Sequence, residues 1–340
     1  MRVPQLSLSL TGATVLRNGR MQRDTVSLDA GRIVDTALPS ADFGGHLLLP
    51  GIVDIHAHAP ETSLDDYGKT ASPQGVTTTF LAQRWTGDTA ASVEAALDSL
   101  ARPCADAPVE MHAHLVVDLA TADTANRLLA AIARHRPAAV LFADTPRHDP
   151  CKPRYICRIA NTCDRHKIPY GSLADPDGET RERYAMLGAR LCAFPRSRAA
   201  AALAAAVGDP VILAATDVCA PARSDAPWSA QSAVNAGHCA ALASVDDAGT
   251  LHRAALHLAQ LRALDLPRAW ALISSRPARI MGLSDRGTLD PGRRADLVAV
   301  RAATGRIEAT FQAGRPTYLT DEATRRLVAA CPDTAAALVA

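Results

Sequence analysis

The 340-residue chain reads as an α/β protein, a (β/α)8 TIM-like barrel with a small β subdomain built from both termini. Three observations predict it. Eight short apolar runs alternate with amphipathic helical stretches over residues 51–284. Strand-rich, turn-punctuated segments flank that region, over 1–50 and 285–320. The length also suffices for a barrel of about 250 residues plus an appendage.

At the amino end, "TVLRNGRMQ" carries an Asn18-Gly19 turn and "VSLDAGRIVD" turns around Ala30-Gly31. Both are hairpin signals. After Pro50 the apolar runs fall at 52–55, 76–81, 109–117, 138–142, 168–171, 190–194, 211–215 and 239–243. Helical candidates lie between them at 89–101, 122–135, 154–166, 179–187, 199–207 and 251–264. Buried strands joined by helical crossovers pair in parallel, and eight of them close a barrel. The interval before the last run, "DVCAPARSDAPWSAQSAVNAG", is loop-rich with a short helix. From Asp285 the chain returns to β character, with turns at Pro291-Gly292 and Gly305. Residues 321–340 read as a helical, peripheral tail.

Composition narrows the function classes. Apolar residues make up 48% and charged residues 21%, as in a soluble globular protein. A net charge of +1 gives no bulk attraction to nucleic acid or membrane, so neither is expected as a partner. The first twenty residues lack the apolar stretch of a secretory leader, and no apolar run reaches bilayer length. Eight cysteines are too dilute for a disulfide scaffold, which favours reduced thiols and a cytoplasmic location. Cys151, Cys157 and Cys163 are evenly spaced, but steps of six turn a helix through about 240°. They therefore point in different directions and read as small buried residues, with metal binding as the lesser alternative. Homo-oligomers are compatible with the sequence.

The chemistry-bearing stretch is "LLLPGIVDIHAHAP", residues 47–60, where an apolar strand ends in two histidines. Side chains two apart on a strand share a face, so His56 and His58 point together into the barrel at its carboxyl-terminal rim. Barrel enzymes build their sites on that rim. Two imidazoles on one face can hold a divalent cation, or they can be hydrogen-bonded polar residues beside a loop. "VEMHAHLVVD" repeats the pattern with His112 and His114, which read as metal ligands or as lining of the barrel. Arg84, Arg147, Arg196, Arg198 and Arg223 each follow a strand run and so fall on rim loops. Guanidinium groups there suit the oxygens of a small anionic, phosphorylated substrate.

"LLLPGIVDIHAH" near one end and "SSRPARIMGLSDRGTLDPGRRADLVAV" near the other resemble the amidohydrolase superfamily, over nearly the whole chain. "GVTTTFLAQ", "VLFADTPRH", "GSLADPDGETRERYAMLGARLCAFPRS" and "DRGTLDPGRRADLV" look most like its diphosphatase branch in the carbon–phosphorus lyase pathway of phosphonate metabolism. The resemblance implies a metal-dependent hydrolase that releases pyrophosphate from ribose 1-methylphosphonate 5-triphosphate. It implies one or two divalent ions (zinc, manganese or nickel). Two alternatives stand beside it: an amidohydrolase acting on a cyclic amide or related C–N bond, and a catalytically impaired paralogue serving as a binding or assembly protein.

Carried over residue by residue, His56 and His58 match the superfamily's first-strand ligands. A fourth-strand lysine or carboxylate is expected, and none of the three lysines, Lys69, Lys152 and Lys167, lies there. Asp144 stands in the place of the acid, as a metal ligand or as a turn cap. Leu173 replaces the histidine of strand five, the sixth strand has none, and Asp175 remains from the acidic pair after strand five as a further ligand. The seventh-strand loop lacks the family's glycine and histidine. On the eighth strand Val245 occupies the position of the water-activating aspartate. A one-residue bulge would bring Asp246 into that role, as the base that takes a proton from water. Asp246 and Asp247 also suit the start of the following helix.

Overall fold

The computed structural model describes residues 5–58, 63–102, 104, 106–120, 122–143, 152–220 and 228–332. Eight strands, Ile52–His58, Val76–Trp85, Glu110–Asp118, Val140–Ala143, Tyr170–Leu173, Leu191–Ala193, Val211–Ala214 and Cys239–Ala243, pair in chain order, all parallel. A bridge between Ala57 and Val245 closes the seam between first and last. There the His58 N–H donates to the Val245 carbonyl at 2.7 Å, and the Val245 N–H to the His56 carbonyl at 3.1 Å. This is the barrel that the alternating runs predict.

Strand periodicity divides the core into two layers. Ile55, Ala82, Val116, Leu141, Leu191, Ile212 and Ala241 fill the interior. Leu115, Val117 and Phe142 pack outward on Leu128, Ile132 and Ile159 of the covering helices. Each such side chain contributes about 1.5–3 kcal/mol by leaving water. Helix Ala125–His135 shows the rule locally, since Leu128, Ala131 and Ile132 share its buried face. Its Arg127 faces out and pairs with Glu94 of the preceding helix. It ends where Arg136 turns left-handed, at φ 47°.

Both ends of the chain build the appended β layers. A six-stranded sheet runs Arg315–Leu319, Ile307–Gln312, Leu297–Arg301, His46–Pro50, Thr14–Arg17, Arg20–Arg23. Within it Leu297–Arg301 lies antiparallel to His46–Pro50, which joins the two termini. A four-stranded sheet of Arg32–Val34, Val26–Asp29, Leu8–Thr11 and Ser40–Asp42 packs over it through Leu8, Leu10, Phe43, Leu48, Leu297 and Phe311.

The motif "DRGTLDPGRRADLV" ties this appendage to the base of the barrel. Arg286 is buried, donating to Thr78 Oγ1 at 2.9 Å and to Glu110 Oε2 at 3.0 Å. Arg294 bridges Glu110 and Asp296. Burial opposes ionisation of Glu110, but His112 and these two guanidinium groups hold its carboxyl well below the usual range.

Four details differ from the sequence reading. A helix at Leu64–Ala71 follows the first strand where none was anticipated, in a stretch too short and polar to show a helical period. The carboxyl-terminal helix Asp321–Ala330 is docked rather than peripheral, with Ala323 and Leu327 fully buried in the β layers. Cys163 is buried but Cys157 is exposed, because their helix turns them to different faces; Cys151 lies outside the described residues. Before the last strand there are two short helices, Ala215–Cys219 and Ala230–Asn235. Among the described residues no helix is long and apolar enough to cross a membrane.

Candidate active site

The first strand is irregular just where its histidines lie. Its register with the second strand slips between Asp54 and Ala57, after which His58 sits opposite the inward-facing Ala82. The slip lets Ile55 fill the interior while His56 also turns inward. Asp54 faces the seam, fully buried, and accepts the Ser244 N–H at 3.1 Å, the Ser244 hydroxyl and the His56 N–H at 3.3 Å. Burial raises its pKa even against these bonds. Asp54 thus clamps strand one to strand eight and fixes where the two rim segments meet.

Beyond the clamp, Val245 takes φ +67°, a left-handed conformation that costs a non-glycine residue about 1–2 kcal/mol. The kink sends the next side chain back across the seam. Asp246 Oδ1 lies 2.7 Å from His58 Nδ1, on the exposed rim. Asp247 turns the other way: its carboxylate accepts the Gly249 N–H at 2.8 Å and meets Arg253 at 2.6 Å. Asp246 Oδ2 has no partner among the described residues.

His56 lies deeper. Its Nδ1 is 2.9 Å from Nε2 of buried His114, and Phe194 packs edge-on against its ring at 5.0 Å. Burial pushes the His56 pKa well below the ordinary value, helped by the charges of His114, His58 and Arg84. Burial, with His58, lowers His114 to about 3. Both rings are therefore neutral at pH 7, the form that gives a lone pair to a metal ion.

The donor chemistry fits part of a metal site. Ligating histidines characteristically hold a partner through the second ring nitrogen. His56 and His58 both do so through Nδ1, to His114 and Asp246, which leaves each Nε2 uncommitted. Among the described residues no three histidine, cysteine or carboxylate side chains are arranged around one ion. Asp144, the fourth-strand candidate, lies outside them, as do Arg147 and Arg223.

The other predicted residues separate. Asp175 is buried away from the imidazoles' hydrogen bonds: it accepts from Ser172 at 2.6 Å, with Arg181 at 3.6 Å. Its carboxylate anchors Arg181 and the fifth strand. His112 meets Glu110 at 2.8 Å and stacks on Phe80, so the two histidines of the third strand do different things. Glu110 and His112 border a cavity of ≈ 1340 Å³ that includes Met111, Arg294 and Arg315 but none of the rim histidines. Arg84, Arg196 and Arg198 are exposed, and their side chains form no ion pair among the described residues. Arg84 is near enough for its charge to act on His56.

Sequence reasoning missed Asp54, Ser244 and Phe194. An acid inside the apolar run "GIVDI" was the available signal for Asp54, since a buried carboxylate needs donors. Nothing in the sequence marked Phe194 as the neighbour of His56.

No protein-family model matches the chain, and no curated protein matches it in sequence. Solved enzyme structures share its architecture, an eight-stranded parallel barrel with helices between the strands and appended β layers. One is the dihydropyrimidinase of Brevibacillus agri, with TM-score 0.73 and 14% identity, covering 92% of this chain and 95% of that one. A second is the N-acetylglucosamine-6-phosphate deacetylase of Thermotoga maritima, with TM-score 0.66 and 15% identity, covering 92% and 100%. A third is a Xaa-Pro dipeptidase with methionine in its active site, with TM-score 0.67 and 12% identity, covering 92% and 99%. At these identities the likeness is one of fold.

Proposed function

We propose that the chain is a metal-dependent hydrolase of the amidohydrolase superfamily that acts on a small phosphorylated substrate at the carboxyl-terminal rim. One observation carries the reading: both imidazoles of His56-Ala57-His58 are held through Nδ1, with Nε2 left to face an ion. Asp144 is the proposed third donor. A bound zinc, manganese or nickel ion would polarise the scissile group and ease the ionisation of water.

The chain's own residues supply the rest. Asp246 orients His58 through Oδ1 and takes the proton of the attacking water on Oδ2. Arg84, with Arg196 and Arg198, holds the anionic end of the substrate, each guanidinium offering paired N–H donors to phosphate oxygens. The favoured substrate is a phosphoanhydride, ribose 1-methylphosphonate 5-triphosphate or a related compound, cleaved with release of pyrophosphate. This follows the sequence resemblance and the exposed arginines Arg84, Arg196 and Arg198.

The second reading is hydrolysis of a cyclic amide. It is supported by the names of similar folds, the dihydropyrimidinase above and a D-hydantoinase at TM-score 0.69 and 12% identity. The test presents metal-supplemented protein with triphosphorylated ribose compounds and with hydantoin, following pyrophosphate release and ring opening. Pyrophosphate release supports the first reading, ring opening the second. Neither product, across amides and lactones as well, would favour a paralogue that binds without catalysis.

A further inference from the structure

The third strand sets a buried imidazole behind the metal-facing pair. His114 is 1% exposed, and its Nε2 lies 2.9 Å from His56 Nδ1. Two neutral rings at that distance share a single N–H. If the proton sits on His56 Nδ1, then His56 Nε2 keeps its lone pair and can bind an ion. If it sits on His114 Nε2, then His56 Nε2 carries the other hydrogen and is closed to an ion.

The far side of His114 decides between the two. Its Nδ1 is buried and has no hydrogen-bond partner among the described residues. With the shared proton on His114 Nε2, that orphan is a bare acceptor. With the shared proton on His56, the orphan must be an N–H. Buried N–H groups without acceptors are the scarcer case in proteins. Without an ion, the pair therefore rests in the arrangement that closes His56.

We propose that His114 is a positioning residue for His56, holding the shared proton when no ion is present and accepting it from His56 Nδ1 when an ion occupies Nε2. This rests on His56 being a metal ligand. The exchange balances: the shared proton moves from His114 Nε2 to His56 Nδ1, one proton leaves His56 Nε2, and one is taken up at His114 Nδ1. Both rings stay neutral throughout. The buried His114 Nδ1–H is what ion binding must overcome.

The tautomers separate this role from a merely structural one, because only the proton exchange changes which nitrogen of His114 carries hydrogen. The experiment uses the full chain with ¹⁵N-labelled histidine, wild type and H114L. Zinc-free wild type is expected to show His56 and His114 both as Nε2–H tautomers, and zinc-loaded wild type His114 as Nδ1–H. Zinc should bind H114L about 10–100-fold more weakly than wild type, the usual effect of losing such a partner. An unchanged circular dichroism spectrum controls for the folding of H114L. An Nδ1–H His56 in zinc-free wild type, or equal zinc affinity in H114L, overturns the proposal. Failure of wild type to bind zinc overturns the ligand reading instead, and the zinc-free spectra tell the two failures apart.

Discussion

His58 Nδ1 and Asp246 Oδ1 lie 2.7 Å apart across the barrel seam, joining residues 188 positions apart in the chain. The contact exists because Val245 is left-handed and Asp54 clamps the strands beneath it. It places one of two adjacent aspartates at the histidines and leaves the other at the start of helix Gly249–Gln260.

That separation predicts different outcomes for two neighbouring substitutions. Asp246→Asn should lower turnover about 10²–10⁴-fold, as for loss of a general base, with little change in stability. Asp247→Ala should leave turnover nearly intact and cost about 1 kcal/mol, as for loss of a helix-start acceptor. Steady-state rates and urea melts of both variants check this. Equal effects on rate would remove the distinction.

The sequence made the barrel legible because its strands are buried on both faces and read as unbroken apolar runs. His56 and His58 were legible because strand alternation is local geometry. The shift from Val245 to Asp246 could be anticipated only by comparison with a family pattern. The meeting of His56 with His114 and Phe194 was hidden, because it depends on which inward side chains share a layer across non-adjacent strands. That Asp175 meets Ser172 and Arg181 was hidden for a related reason. Its partner Arg181 lies one helix later, and a carboxylate after a strand looks the same whether it meets an ion or a guanidinium.

Arg181 is fully buried, donating to Ser172 Oγ at 2.8 Å and to Asp209 at 3.2 Å, with Asp175 at 3.6 Å. Arg181→Met would strand two buried carboxylates without their cation. It should destabilise the chain by about 3–5 kcal/mol. Urea denaturation followed by circular dichroism measures the loss. A change under about 1 kcal/mol would show that the cluster is dispensable.

Acid stability should depend on His252. Burial, with a further contribution from Arg253, lowers its pKa to about 4, below the ordinary imidazole value of 6.5. A histidine depressed in the fold is protonated first in the unfolded chain, so stability is lost as the pH falls from 6.5 toward 4. His252→Gln should flatten that part of the profile while leaving stability at pH 8 nearly unchanged. Denaturation midpoints at half-unit pH intervals provide the comparison. Parallel profiles would exclude His252 as a contributor.

The central claim is that His56 and His58 bind a catalytic divalent ion. Metal analysis after zinc supplementation and gel filtration, on wild type and on the His56→Ala, His58→Ala double variant, tests it most directly. The claim predicts a stoichiometric ion in wild type and its loss in the double variant, whose circular dichroism spectrum stays unchanged. A wild type that retains no ion, or a folded double variant that retains a full equivalent, would contradict it.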